Sequence, residues 1–175
     1  MADRALTGVL LVGGASTRFG SPKALARIGE ESLAERAWRV LGEACEERLA
    51  VGKNEYELPF GVLDDGTDVR APIAGLVAGL RVAAHDVAVV IPVDTPNLTA
   101  AALHELADAC LDAAVPRSGP LPGAYRRSAL PVLEAALAEG RLKLRDVLRE
   151  LDVAVVSLDE RLLVNVNRPG DVQRL

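Results

Sequence analysis

Aromatic side chains are nearly missing from this chain: two Phe, two Tyr and one Trp among 175 residues. So few rings exclude an aromatic platform on which nucleic-acid bases would stack. Basic blocks are missing too, and the formal net charge is −5, which argues against a nucleic-acid partner. The two histidines, His85 and His104, stand isolated in the sequence, and the two cysteines, Cys45 and Cys110, lie in helical-looking segments. That leaves no histidine metal cluster and no cysteine-ligand spacing, and both cysteines read as small buried hydrophobes. No apolar run reaches the length a bilayer requires and no leader-like segment is present, so the expectation is a cytoplasmic protein with no membrane partner.

Ala, Val and Leu are plentiful. Half of the residues are hydrophobic, enough for a full core, and the length fits one domain over residues 1–175. The apolar pattern predicts strands at Leu6–Val12, Arg48–Val51, Phe60–Leu63, Val87–Val93, Ala113–Pro116 and Val153–Ser157, with a short one around Tyr125. Helices are predicted at Leu33–Glu47, Ile73–Ala84 after Pro72, Thr99–Leu111, Leu130–Ala138, Lys143–Glu150 and from Pro169. Thr99 is a plausible cap and Gly140 a stop. Alternating strands and helices predict an α/β fold, a three-layer sandwich around a mainly parallel, Rossmann-like sheet. Ligands of such sheets bind outside the carboxyl ends of the strands. Three features then share one rim: the loop from Gly13, the acids Asp64 and Asp65, and Asp94.

The loop is the richest feature. Leu10-Leu11-Val12-Gly13-Gly14-Ala15-Ser16-Thr17-Arg18-Phe19-Gly20-Ser21-Pro22-Lys23 ends an apolar run in two glycines and continues with hydroxyls, one Arg and one Lys, but no acid. Glycines let the backbone approach a polyphosphate, and successive N–H groups form an anion nest. Arg18 and Lys23 bring positive charge to phosphate oxygens. From spacing alone, an ordinary turn is an equal alternative. The loop is neither a P-loop nor Gly-x-Gly-x-x-Gly. Asp94 likewise reads as a cap on the turn before Pro96 or as the single carboxylate that docks magnesium.

Leu11-Val12-Gly13-Gly14-Ala15-Ser16-Thr17-Arg18-Phe19-Gly20…Lys23 resembles the Leu-Ala-Gly-Gly-x-Ser-x-Arg-Met-Gly…Lys signature of the MobA-like nucleotidyltransferases. Pro72-Ile73-Ala74-Gly75-Leu76, Pro92-Val93-Asp94-Thr95-Pro96, Tyr125-Arg126-Arg127, Gly140-Arg141…Asp146 and Val164-Asn165-Val166-Asn167-Arg168-Pro169 follow the family in order. The resemblance spans nearly the whole chain. It implies the nucleotide-diphospho-sugar transferase type of fold, and transfer of GMP from GTP to molybdopterin with release of pyrophosphate. It also implies transient contact with other molybdenum-cofactor proteins. Carried over, Leu11, Val12, Gly13 and Gly14 bind the nucleotide, Arg18 and Lys23 act on the phosphates, and Asp94 holds Mg2+. Asp65 matches the position that recognises guanine, where a carboxylate can accept from N1–H and the amino group. Tyr125, Arg126, Arg127, Asn165 and Asn167 fall on the acceptor side. Gly13, where related cytidylyltransferases carry alanine, favours GTP over CTP. Val12, Pro22 and Gly52 depart from the usual alanine, acid and asparagine. A nucleotidyltransferase with CTP or another phosphorylated acceptor, and a non-catalytic nucleotide-binding domain, are the rival functions.

Overall fold

Every residue of Leu6–Val12 is buried, and this strand, β1, lies at the heart of the sheet. Its side chains alternate between two cores. Leu6, Leu10 and Val12 face one; Val9 and Leu11 face the other. Burial on both faces is why the strand runs apolar apart from Thr7, whose hydroxyl is satisfied by Glu47. The computed structural model describes residues 5–13, 22–53, 55–167 and 169–172.

A small hairpin follows, β2 (Arg27–Ile28) with β3 (Glu31–Ser32). It has no counterpart in the predicted elements, because two-residue strands leave no periodicity to read. Helix α1 (Leu33–Ala44) starts on a capping box: Ser32 accepts from the Glu35 amide, and the Glu35 carboxylate accepts from the Ser32 amide. Then come β4 (Glu47–Gly52), β5 (Val62–Asp64), α2 (Pro72–Val82) and β6 (Val87–Pro92). Helix α3 (Ala100–Ala109) is capped by Thr99, as expected, and leads into β7 (Ala113–Pro116) and β8 (Gly123–Arg126). The chain continues through α4 (Leu130–Ala138), α5 (Leu144–Val147), β9 (Val153–Val156) and α6 (Pro169–Val172).

The seven-stranded sheet has the order β5-β4-β1-β6-β8-β7-β9, and only β8 runs against the others. Helices α1 and α3 cover one face around Leu41, Leu103 and Leu106. Helices α2, α4 and α5 cover the other around Leu76, Leu80, Leu133 and Val147. This is the expected three-layer α/β architecture. Among the described residues no helix is long and apolar enough to cross a membrane.

Most boundaries differ from the expected ones by a residue or two, and three of the differences have a physical reason in the structure. Helix α1 stops at Ala44 rather than Glu47, because the next acids are held by the sheet. Glu46 accepts the Leu6 amide at 2.6 Å, and Glu47 accepts the Thr7 hydroxyl at 2.6 Å from a register position opposite it. Strand β5 begins at Val62 because Phe60 leaves the strand to stack on Trp38, with ring centroids 4.3 Å apart. The predicted helix over Lys143–Glu150 divides into α5 and a 3-10 turn at Leu148–Glu150.

Candidate active site

The carboxyl ends of β1, β4, β5 and β6 open into a cleft of about 270 Å³. Leu11, Val12, Gly13, Lys23, Asp65 and Asp94 all line it. Gly14 and Arg18 lie outside the described residues.

Gly13 leaves β1 with φ +153°, a backbone angle that residues with a side chain rarely adopt. A Cβ here would meet only Gly52 and Lys53 backbone atoms at 3.7 Å, an ordinary contact. Glycine is therefore required for the direction of the chain, not for lack of space against the protein. At Gly52 the reason is the reverse. A Cβ there would fall 1.6 Å from the Val12 carbonyl oxygen, so β1 and β4 converge where the cleft begins.

Lys23 is set by Pro22, whose φ of −56° leads into a one-turn 3-10 helix over Lys23–Leu25 with Ala24 buried beneath. Asp94 sits in the turn after β6. Lys23 Nζ lies 3.1 Å from Asp94 Oδ2 and donates to Asn167 Oδ1 at 3.3 Å. The two side chains of the ion pair are 18% and 23% exposed, so both charges still face water. The C-terminal stretch reaches this point because Val166 is buried against Leu33 and donates its amide to the Asp94 carbonyl at 2.8 Å. Asn165 and Asn167 flank that anchor and are exposed. Asn165 makes no hydrogen bond to a described residue.

Asp65 follows β5, three sheet positions from β6. Its Oδ1 accepts from Lys53 Nζ at 2.5 Å and from the Thr67 amide at 3.1 Å. Lys53 also donates to the Thr67 carbonyl. Tyr56, Arg70 and Leu121 complete the walls, with Arg70 paired to Glu55. Burial raises the Tyr56 hydroxyl above its ordinary range. Helix α2 presents its first turn to the cleft at Ala71 and Pro72, with no side-chain cap. Sequence reasoning missed Lys53, Tyr56 and Arg70. The available signal was position alone: Lys53 is the first residue past a strand end on the ligand rim.

Tyr125, Arg126 and Arg127, expected on the acceptor side, are each engaged by the fold in and just after β8. Tyr125 is fully buried in β8, and its hydroxyl donates to the Pro120 carbonyl at 2.6 Å. Arg126 pairs in register with Val87, the first residue of β6, about 16 Å of strand away from Pro92 at five residue steps. There its guanidinium ties Asp86 and the Cys110 and Leu111 carbonyls. Arg127 donates to the Ala83 carbonyl at the same end. Arg126 and Arg127 hold the fold together at the end of the sheet opposite the rim, whereas Tyr125 ties β8 to the loop that carries Leu121.

The residues present suit a hard divalent cation. Asp94 offers carboxylate oxygens at the cleft, and its Oδ1 has no hydrogen-bond partner among the described residues. No group of three or more His, Cys, Asp or Glu side chains gathers among the described residues. One carboxylate with water and phosphate oxygens is the donor set magnesium prefers.

Residues 8–155 match the MobA-like NTP transferase domain. A "Probable molybdenum cofactor guanylyltransferase" of Deinococcus radiodurans is 36% identical over 97% of this chain and 93% of its own length. The molybdenum cofactor guanylyltransferase of Burkholderia vietnamiensis is 36% identical over 93% and 91%. The crystal structure of molybdopterin-guanine dinucleotide biosynthesis protein A from Archaeoglobus fulgidus superposes with a TM-score of 0.80 at 25% identity, covering 96% of this chain and 95% of that one. A cytidylyltransferase from Thermus thermophilus, 18% identical with a TM-score of 0.72 over 95% of each chain, shares the fold. The parallel sheet, the glycine turn after its first strand and the full-length matches lead to one assignment: the chain belongs to the MobA-like NTP transferase family.

Proposed function

We propose that this chain transfers GMP from GTP to molybdopterin, forming the guanine dinucleotide and releasing pyrophosphate. One observation carries the reading. Lys23 and Asp94 meet at the end of β6 in the same cleft that holds Asp65 after β5. Those strands are three sheet positions apart, about 14 Å, which separates a base site from a triphosphate site along one nucleotide. The names of the Burkholderia and Archaeoglobus relatives support the same donor and acceptor.

The chemistry is an in-line displacement. An oxygen of the acceptor's terminal phosphate attacks the α-phosphorus. A new P–O bond forms, the bond to the α,β-bridging oxygen breaks, and pyrophosphate leaves with that electron pair. The attacking phosphate is already ionised near neutral pH, so no general base is required. Lys23 stabilises charge gathering on the leaving group, with Arg18 as its assigned companion. Asp94 would hold Mg2+, which neutralises charge on the phosphates. Backbone groups from Gly13 onward cradle the triphosphate, Leu11 and Val12 border the nucleoside, and Asp65 reads the base. Asn165 and Asn167 border the acceptor. Catalysis on this account is positioning and electrostatics.

The test is pyrophosphate release with purified molybdopterin and each of GTP, CTP, UTP and ATP in magnesium buffer. Release with GTP alone is expected. Equal release with CTP overturns the donor assignment, and GTP binding without release with any nucleotide overturns catalysis.

A further inference from the structure

We propose that Lys53 is a positioning residue for base selection: it fixes the Asp65 carboxylate so that a single oxygen, Oδ2, is offered to the nucleotide base. The proposal rests on the reading of Asp65 as the residue that recognises the base.

The pairing is built by the sheet. Gly52 and Asp64 are register partners at the ends of β4 and β5, so the next residues, Lys53 and Asp65, leave two adjacent parallel strands side by side. Their side chains are 15% and 7% exposed, with Nζ 2.5 Å from Oδ1. A carboxylate enclosed to that degree costs heavily without a counter-charge, and Lys53 supplies it. Acceptor capacity then decides what remains. A carboxylate oxygen has two lone-pair sites. On Oδ1 one takes Lys53 and the other the Thr67 amide. Lys53 is itself held by the Thr67 carbonyl, so Lys53, Asp65 and the Thr67 backbone form a closed cycle of hydrogen bonds. Oδ2 has no hydrogen-bond partner among the described residues, and Asp65 lines the cleft. The arrangement replaces a two-oxygen clamp on the guanine edge. Both donors of that edge, N1–H and the amine, converge on Oδ2, whose direction is set by what Lys53 and Thr67 do to Oδ1. An adenine edge presents an acceptor at N1 and is repelled by the same oxygen.

The alternative role for Lys53 is a direct contact to phosphate, and base selectivity separates the two. Steady-state kcat/KM for GTP and for ATP is measured on the wild type and on Lys53→Met, Lys53→Gln, Lys53→Arg and Asp65→Asn, with thermal unfolding as the check on folding. The GTP:ATP ratio is expected to fall about tenfold or more in Lys53→Met, mainly through the KM for GTP, and to be largely restored in Lys53→Arg. Lys53→Gln, which keeps a polar stem, carries the same expectation as Lys53→Met should the latter fail to fold. An equal loss for both nucleotides overturns the proposal and makes Lys53 a phosphate ligand. A wild-type ratio in both charge-removing variants, with the ratio lost in Asp65→Asn, overturns it while the reading of Asp65 stands. A ratio unchanged in Asp65→Asn overturns the reading of Asp65 and the role of Lys53 together.

Discussion

Lys23 Nζ lies 3.1 Å from Asp94 Oδ2. The same oxygen cannot serve that ammonium and a divalent ion at full strength, because both bring positive charge to one point. On the proposed reading, nucleotide binding draws Lys23 toward phosphate and frees the carboxylate. In nucleotide-free protein, Lys23→Ala should therefore tighten Mn2+ binding, read by electron paramagnetic resonance titration, although the variant loses activity. Unchanged or weaker Mn2+ binding contradicts the competition. Asp94→Asn should lower kcat by roughly 10²–10⁴-fold, the several kcal/mol a Lewis acid supplies. Near-normal turnover in Asp94→Asn contradicts the metal assignment.

Alkaline pH should unfold this protein earlier than its core alone would require. Burial pushes the Cys45 thiol up to about 12 and raises the Tyr125 hydroxyl further still. In the unfolded chain these groups ionise near pH 8.5 and about 10. Their contribution is intact below those values and is lost as pH rises above them, because only the unfolded state releases the protons. Each group costs about 1.4 kcal/mol per pH unit in that window. Urea midpoints at pH 8, 9.5 and 11 should fall along the series, with a shallower fall in Tyr125→Phe. At pH 8 that variant loses about 1 kcal/mol with the hydrogen bond to Pro120.

Gly52→Ala should be among the most damaging small substitutions. The added methyl meets the Val12 carbonyl at 1.6 Å, so β1 and β4 must part at the mouth of the cleft. A loss of at least about 3 kcal/mol is expected from overpacking and a broken ladder, read by denaturant melts. A stable, active variant would show that the rim relaxes freely.

Arg126→Ala tests whether this side chain serves the fold or the acceptor. The side chain ties Asp86 to the Cys110 and Leu111 carbonyls at the amino end of β6. Its loss should cost about 1–2 kcal/mol of stability and leave the KM for the acceptor unchanged. A raised acceptor KM would return Arg126 to the site.

The elements that read well from sequence are those whose signal is local. The apolar runs of β1 and β6, the Thr99 cap of α3 and the Gly140 stop after α4 each declare themselves within a few residues. The errors arose where a distant partner decides. Nothing near Tyr125 shows that β8 is an interior strand, flanked by Ala88 and Ala113. Glu47 continued a helical period but is claimed by Thr7, forty residues away. Lys53 went unnoticed because its partner is chosen by the register of β4 on β5, which no stretch of sequence contains. At the candidate site, the strand-end acids and the glycine turn were legible from composition, whereas the pairings among them were not.

The reversal of β8 has a consequence for how such a protein can diversify. Because β8 descends where its neighbours ascend, the hairpin joining it to β7 emerges at the rim and brings Leu121 to the cleft wall. The strands bearing Gly13, Lys53, Asp65 and Asp94 all precede that hairpin in the chain. Insertions or deletions within residues 117–121 can therefore reshape the far wall while leaving the earlier half intact. On the proposed function, the seam divides the chain into a portion that answers to the triphosphate and a later panel that can be changed to suit a different co-substrate.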